Sequence, residues 1–212
     1  MACTAADVAG AVRAVAAVVA EHRVELIQLD RAIGDGDHGE NLNRGFTAVV
    51  AKLDESTPDT PGGVLKLVAT TLIAKVGGAA GPLYGTAFLR ASTAVGDAAG
   101  LGPAEVLDAL RAALGGIVAR GKAELGDKTM VDALDPAVQA AEKATEKAPD
   151  SVAALLSAAA DAAATGAEST VPLVARKGRA SYLGERSAGH LDPGARSTTL
   201  LLRSFADSAA AS

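Results

Sequence analysis

Val8, Val12, Val15, Val19, His22, Leu26 and Leu29 recur in alternating steps of three and four. Such spacing lays one apolar stripe along a helix and does not fit the two-residue period of a half-buried strand. Aromatic residues make up only 2% of the chain and alanine is abundant. A core with so few large side chains must form by close approach of thin elements, which suits helices better than strands. The stripe predicts one long first helix with Asp30 in its last turn. His22 lies on its apolar face and reads as a packed histidine without a chemical role.

Caps and breakers mark more helices downstream. A second opens at Gly39 to Asn41 and runs to about Leu53. Pro61 starts a third, through roughly Val76, and Gly77 to Pro82 then breaks the periodicity before a fourth with Leu83, Phe88 and Leu89. Pro103 begins a fifth, to about Glu124. Its glycines Gly115, Gly116 and Gly121 predict close contact with another helix or a ligand. Asp135 caps and Pro136 starts a sixth, Ser151 caps a seventh with Pro172 near its end, and Asp192 with Pro193 starts a last one to about Ala209. The fold class expected is all-α, about eight helices with no convincing strand. No low-complexity linker divides residues 1–212, so one domain is expected.

The stretch from Ile33 to Phe46 resists explanation by folding needs alone. Asp35 and Asp37 alternate with glycines, and Asp30 stands shortly upstream. Three converging carboxylates repel one another unless a cation joins them. Oxygen-only ligands favour a hard cation, and Mg²⁺ takes a few carboxylates completed by water and phosphate oxygens. Residues 34–39 also match G-x-G-x-x-G, but the preceding segment reads helical and the two aspartates would repel a pyrophosphate. An EF-hand beginning at Asp35 fails at Gly39, Glu40 and Phe46. The first turn of the second helix would face the acidic cluster, which brings His38, Asn41 and backbone N–H groups within reach of phosphate.

Two later segments carry related signals. Gly121 to Thr129 resembles a P-loop with Asp127 inserted, but no strand precedes it, which excludes that motif. Between Arg176 and Arg186 four cations crowd into a polar loop of a chain whose net charge is −5. Cations gathered there suit a phosphate, with Arg able to grip it through two parallel bonds. A net negative chain without a basic footprint argues against nucleic acid and against an anionic membrane surface as partners. Cys3 is the only cysteine, which excludes a disulfide framework and agrees with a reducing, cytoplasmic location. Charged residues flank the apolar run 14–20, so neither a signal peptide nor a membrane span is expected.

Taken together and in order, Gly34 to Asn41, Gly77 to Thr86, Gly126 to Leu134 and Arg176 to Gly194 resemble the L subunits of dihydroxyacetone kinases, the nucleotide-binding subunits. The resemblance implies an antiparallel barrel of eight helices with the nucleotide site at one end. It also implies that Asp30, Asp35 and Asp37 hold two Mg²⁺ ions bridging the phosphates of ADP or ATP. The positions that would line the nucleotide are His38, Gly39, Glu40, Asn41, Ala79, Ala80, Gly121, Met130, Arg179, Asp192, Pro193 and Gly194. Arg179 would act on the transferred phosphoryl group, with Lys177 and Arg186 as the nearest alternatives. Many relatives carry serine where Ala80 stands, so only a backbone contact to phosphate is expected there. The ketose is expected on a separate K subunit, the nucleotide is expected to be recharged by a phosphohistidine M subunit of the phosphotransferase system, and a homodimer is expected. Alternatives are an ATP-dependent subunit acting on a related short ketose and a non-catalytic nucleotide-sensing partner of a regulator.

Overall fold

The computed structural model describes residues 2–211. Every regular element among them is helical: α1 (Ala5–Glu21), α2 (Arg23–Ile33), α3 (His38–Glu55), α4 (Pro61–Lys75), α5 (Ala80–Val95), α6 (Pro103–Gly121), α7 (Val131–Lys147), α8 (Val152–Ser169), a 3₁₀ segment (Arg179–Ser187) and α9 (Pro193–Ala211). The only strand-like pairing among the described residues is an isolated bridge between Cys3 and Leu101.

Ten helical elements stand where about eight were expected. One addition comes from the first helix, which breaks at His22, a residue with φ −90° and ψ 8°. His22 is not simply packed: its Nδ1 lies 2.6 Å from Glu25 Oε2, and Glu25 Oε1 accepts a 2.6 Å bond from Arg196 on α9. The other addition is the basic loop, which winds into 3₁₀ turns interrupted by Gly184 at φ 56°. A small apolar cluster of Ile33, Ala175 and Ala180 pins that segment to the end of α2.

Two boundaries also differ from the sequence reading. α6 ends at Gly121 because Lys122 turns into the left-handed region at φ 49°. α7 begins at Val131 rather than Pro136, and Asp135 is no cap. Pro136 therefore lies inside the helix, where it cannot donate to the Asp132 carbonyl one turn back. Gly166 of α8 packs onto that freed carbonyl, so closely that a Cβ on it would stand 2.2 Å from the oxygen. Gly62 makes a similar approach to the Gly96 carbonyl. Of the glycines expected to mark close contact in α6, Gly116 meets Arg90 and Gly121 meets Leu83, whereas Gly115 faces open space.

Each helix from α3 to α9 packs against the next, α9 returns to α1, and α1 closes the circuit on α3 and α4. One continuous core joins buried side chains from all nine α-helices, with Phe46, Leu26, Leu72 and Leu155 among the fully buried ones. The distal helix starts are capped in the ordinary way: Thr4 forms a capping box with Asp7, Thr60 accepts from the Gly63 N–H and Ser151 from the Ala154 N–H. No helix among the described residues is long and apolar enough to cross a membrane.

Candidate functional site

Asp30 closes α2 and is only 9% exposed, while Asp35 and Asp37 sit on the short loop to α3. One carboxylate oxygen from each lies within 4.8 Å of the others. Asp30 Oδ2 accepts the backbone N–H groups of Asp37 at 2.8 Å and His38 at 3.1 Å, which shapes the loop around it. Its other oxygen stands where a Cβ at residue 34 would be 2.2 Å away, so a side chain there would displace the carboxylate. Gly36 adopts φ 75°, a conformation that a side chain would strain. Three carboxylates held this close, with one oxygen already fixed by backbone donors, suit a hard divalent cation such as Mg²⁺.

The cluster forms one wall of a cleft of about 460 Å³. Its walls include the N-terminal residues of α3, α5, α7 and α9 together with Gly77 after α4 and Gly121 at the end of α6. From α3 to α9, therefore, alternate N-termini converge on the cleft. At α3, α5 and α7 the cap positions are Asp37, Ala79 and Met130, and none makes a side-chain cap bond. The first N–H groups of α3 and α7 are taken, by Asp30 Oδ2 and by Thr129, but the positive dipole ends of α5 and α7 face the carboxylates across the cleft, an arrangement suited to a metal-bound phosphate chain. Gly81 lets α5 start against the Val76 carbonyl, where a Cβ would come within 2.2 Å.

Most residues singled out by sequence line this cleft: Asp30, Asp35, Asp37 and His38 on one side, Ala79, Ala80, Gly121 and Met130 on another, and Arg179, Asp192 and Gly194 on the third. Lys177 is there too, but Arg186 is not. Gly39, Glu40, Asn41 and Pro193 are also absent from its walls. Gly39 instead lets α3 touch the Arg23 carbonyl, with 2.2 Å to a notional Cβ. Glu40 pairs with Arg23 at 2.7 Å on the surface, and buried Asn41 accepts from Arg44 and abuts Gly77. Arg179, 67% exposed, reaches Asp35 across the mouth, Nη2 to Oδ2 3.0 Å. Arg176 is committed elsewhere, to Asp127 at 2.7 Å.

Unlike His38 and Asp192, the groups that accompany them, Tyr84 in the cleft wall and Ser197, Thr198 and Asp132 beside it, carry no signal of their own in the sequence. Burial holds His38 below its ordinary value, against the pull of Asp30 and Asp37, so the imidazole is neutral near pH 7. Its Nε2 lies 2.9 Å from Ser197 Oγ, which is 2.7 Å from Tyr84 OH, itself 3.1 Å from Thr198 Oγ1. Burial pushes the Tyr84 hydroxyl up to about 12. Asp192 caps α9 by accepting the Ala195 N–H at 2.7 Å. Burial raises its carboxyl to about 7, opposed by that N–H and by Lys128. Asp132 accepts the N–H of Gly126 at 2.5 Å and of Thr129 at 2.7 Å, which folds the loop before α7.

Comparison with known proteins places this geometry. Residues 32–207 match the DAK2 domain model. The chain is 47% identical to the ADP-binding subunit DhaL of the PEP-dependent dihydroxyacetone kinase of Escherichia coli K12, over 85% of this chain and 86% of that one. It is 38% identical to the ADP-binding subunit DhaL of the PTS-dependent dihydroxyacetone kinase of Lactococcus lactis, over 88% of each. The crystal structure of the dihydroxyacetone kinase from C. freundii with AMP-PNP and Mg²⁺ superposes with a TM-score of 0.73 at 28% identity, covering 98% of this chain and 35% of that longer one. The chain thus belongs to the DAK2 domain family, among the DhaL subunits of dihydroxyacetone kinases.

Proposed function

We propose that this chain is the nucleotide-carrying subunit of a dihydroxyacetone kinase, a phosphotransferase in which Mg-ADP or Mg-ATP sits in the cleft and the ketose is held on a separate K subunit. The observation that carries this reading is the opposition of three carboxylates, within 4.8 Å of one another, to the starts of α5 and α7, neither closed by a side-chain cap bond, across one cleft. One side binds cations and the other anions, which is the arrangement a metal-chelated polyphosphate needs. The closed circuit of helices is, on this reading, a single antiparallel barrel with the nucleotide at one end.

Asp30, Asp35 and Asp37 would hold two Mg²⁺ ions. When bound, Mg²⁺ neutralises phosphate charge and holds the phosphoryl group for in-line transfer. The chain's own residues position and shield. Asp30 fixes the loop through two backbone N–H groups, so that the carboxylates of Asp35 and Asp37 need not be organised when nucleotide arrives. The N–H groups after Ala79 offer phosphate a contact that needs no side chain, which makes the alanine at position 80 tolerable. Neutral His38, braced by Ser197, can hydrogen-bond phosphate oxygens without competing with metal for charge. Among the described residues Arg179 is the one cation paired with the acidic loop. From the mouth of the cleft its guanidinium would meet the charge of the transferred group in a fixed planar geometry.

Transfer to a partner-held ketose agrees with a cleft that opens at the helix ends. Recharging of bound ADP by a phosphohistidine M subunit of the phosphotransferase system agrees with the relatives named PEP- and PTS-dependent. A homodimer and a cytoplasmic location complete the reading. The test is a single-turnover assay with nucleotide preloaded on this chain. Phosphorylated dihydroxyacetone should form only when the K subunit is added, and turnover by this chain alone would overturn the division of labour.

A further inference from the structure

Lys128 is a charged residue enclosed almost completely, with 1% of its surface exposed. Its Nζ makes no ion pair among the described residues. It donates to the carbonyls of Thr170 at 2.5 Å and of His190, and lies 3.5 Å from that of Val171. An ammonium has three protons; two go to short carbonyl bonds and the third lies nearest the Val171 carbonyl, so the amine is turned toward backbone oxygens. The residue also sits at φ 64°, which a side chain other than glycine adopts only against strain. Burial pushes the ammonium below its ordinary value, opposed by Asp192 and Asp132. A buried amine and a strained backbone both oppose folding, and a methionine would fill the same space without the charge.

What the amine accomplishes is visible in the segments that meet on it. The first is its own loop before α7, which brings Met130 to the cleft. The second is the end of α8, and the third is the stretch around His190 that leads to Asp192 and Gly194. The last two are stitched together, by the Gly189 N–H on the Val171 carbonyl at 2.7 Å and the Asp192 N–H on Thr170 Oγ1 at 3.0 Å. The first also grips the Arg179 segment, because Asp127 binds the Arg176 side chain and its carbonyl accepts the Arg176 N–H at 3.1 Å. We propose that Lys128 is a positioning residue for the nucleotide: its ammonium, lodged among carbonyls of two other segments, sets Met130, Asp192 and Gly194 in the one register that the nucleotide requires. This rests on the Mg-nucleotide reading of the cleft.

The test compares the parent chain with Lys128→Met, Lys128→Gln and Lys128→Arg. Mg-ADP affinity is measured by calorimetry, transfer by single turnover at saturating nucleotide with the K subunit present, and local order by amide exchange at residues 189–192. In the Met and Gln variants affinity should fall by about tenfold or more, while transfer at saturation stays within about threefold, because the amine touches no reacting atom. Amide exchange should quicken at 189–192 with cooperative unfolding retained, and Arg should restore part of the affinity. Affinity within about twofold of the parent in Lys128→Met would overturn the proposal. Loss of cooperative unfolding in both Met and Gln variants would overturn it equally, since the lysine would then serve the helical body itself. If the parent chain binds no Mg-ADP, the Mg-nucleotide reading fails first; parent binding matched by Lys128→Met sinks only this inference.

Discussion

The body of the molecule and its cleft end are built on opposite principles. In the body, helices approach through glycine and alanine, polar groups are few, and distal helix starts are satisfied by Thr4, Thr60 and Ser151. At the cleft end, the starts of α3, α5 and α7 are left without side-chain caps, three carboxylates face one another, and Lys128 and Asp192 are buried with their charges incompletely matched. Each of these features opposes folding on its own. Their concentration at one end teaches that stability and function have been separated along the helix axes. Changes in the body should act on folding alone, and changes at the cleft on ligands and pH.

The largest expected effect is in the body. Gly166→Val would drive two methyls into the Asp132 carbonyl, already 2.2 Å from a notional Cβ. Destabilisation of about 3–5 kcal/mol should follow by urea unfolding, and a loss below about 1 kcal/mol would show that α7 and α8 can part easily. Next is Arg179→Lys, which keeps the charge and loses the planar fork. Single-turnover transfer should slow on the order of tenfold to a thousandfold, more than nucleotide affinity falls. If Arg179→Lys and Arg179→Ala both transfer at the parent rate, that side chain is only a surface cation and Lys177, which lines the cleft, inherits the role.

The third concerns Asp192, whose carboxyl is raised to about 7 from an ordinary 3.8. The folded state binds this proton more tightly than the unfolded one, so its stabilising contribution is whole below about pH 4 and is lost as pH rises toward 7. Asp192→Asn keeps an oxygen for the Ala195 N–H and has no proton to lose. Between pH 4 and 7 the stability of the parent relative to this variant should decline by about 3 kcal/mol. A pH-independent difference would mean that Lys128 keeps the carboxylate ionised throughout, and the cleft end would then be less opposed to folding than described.

The same division explains what the sequence disclosed. The helical body was legible because its periodicity is local, and the acidic loop because three aspartates among glycines are conspicuous without any tertiary contact. The break at His22 was hidden because the apolar stripe runs straight through it, and the contacts around it reach Arg196, far along the chain. Lys128 was invisible for the same reason, its carbonyl partners lying 42 and 62 residues away. Gly39, Glu40 and Asn41 follow the acidic loop directly, and α3 sets them against Arg23, Arg44 and Gly77, contacts that no local pattern discloses.

The central claim is that Asp30, Asp35 and Asp37 exist to hold a metal-bound nucleotide, and calorimetric titration of ADP with and without Mg²⁺ tests it most directly, in the parent chain and in Asp35→Asn and Asp37→Asn. The parent should bind ADP in a strictly Mg²⁺-dependent way. Each variant should lose affinity on the order of a hundredfold or more, while its metal-free unfolding is unchanged or slightly strengthened by relief of carboxylate repulsion. Equal Mg²⁺-dependent affinity in the parent and in either variant would contradict the account.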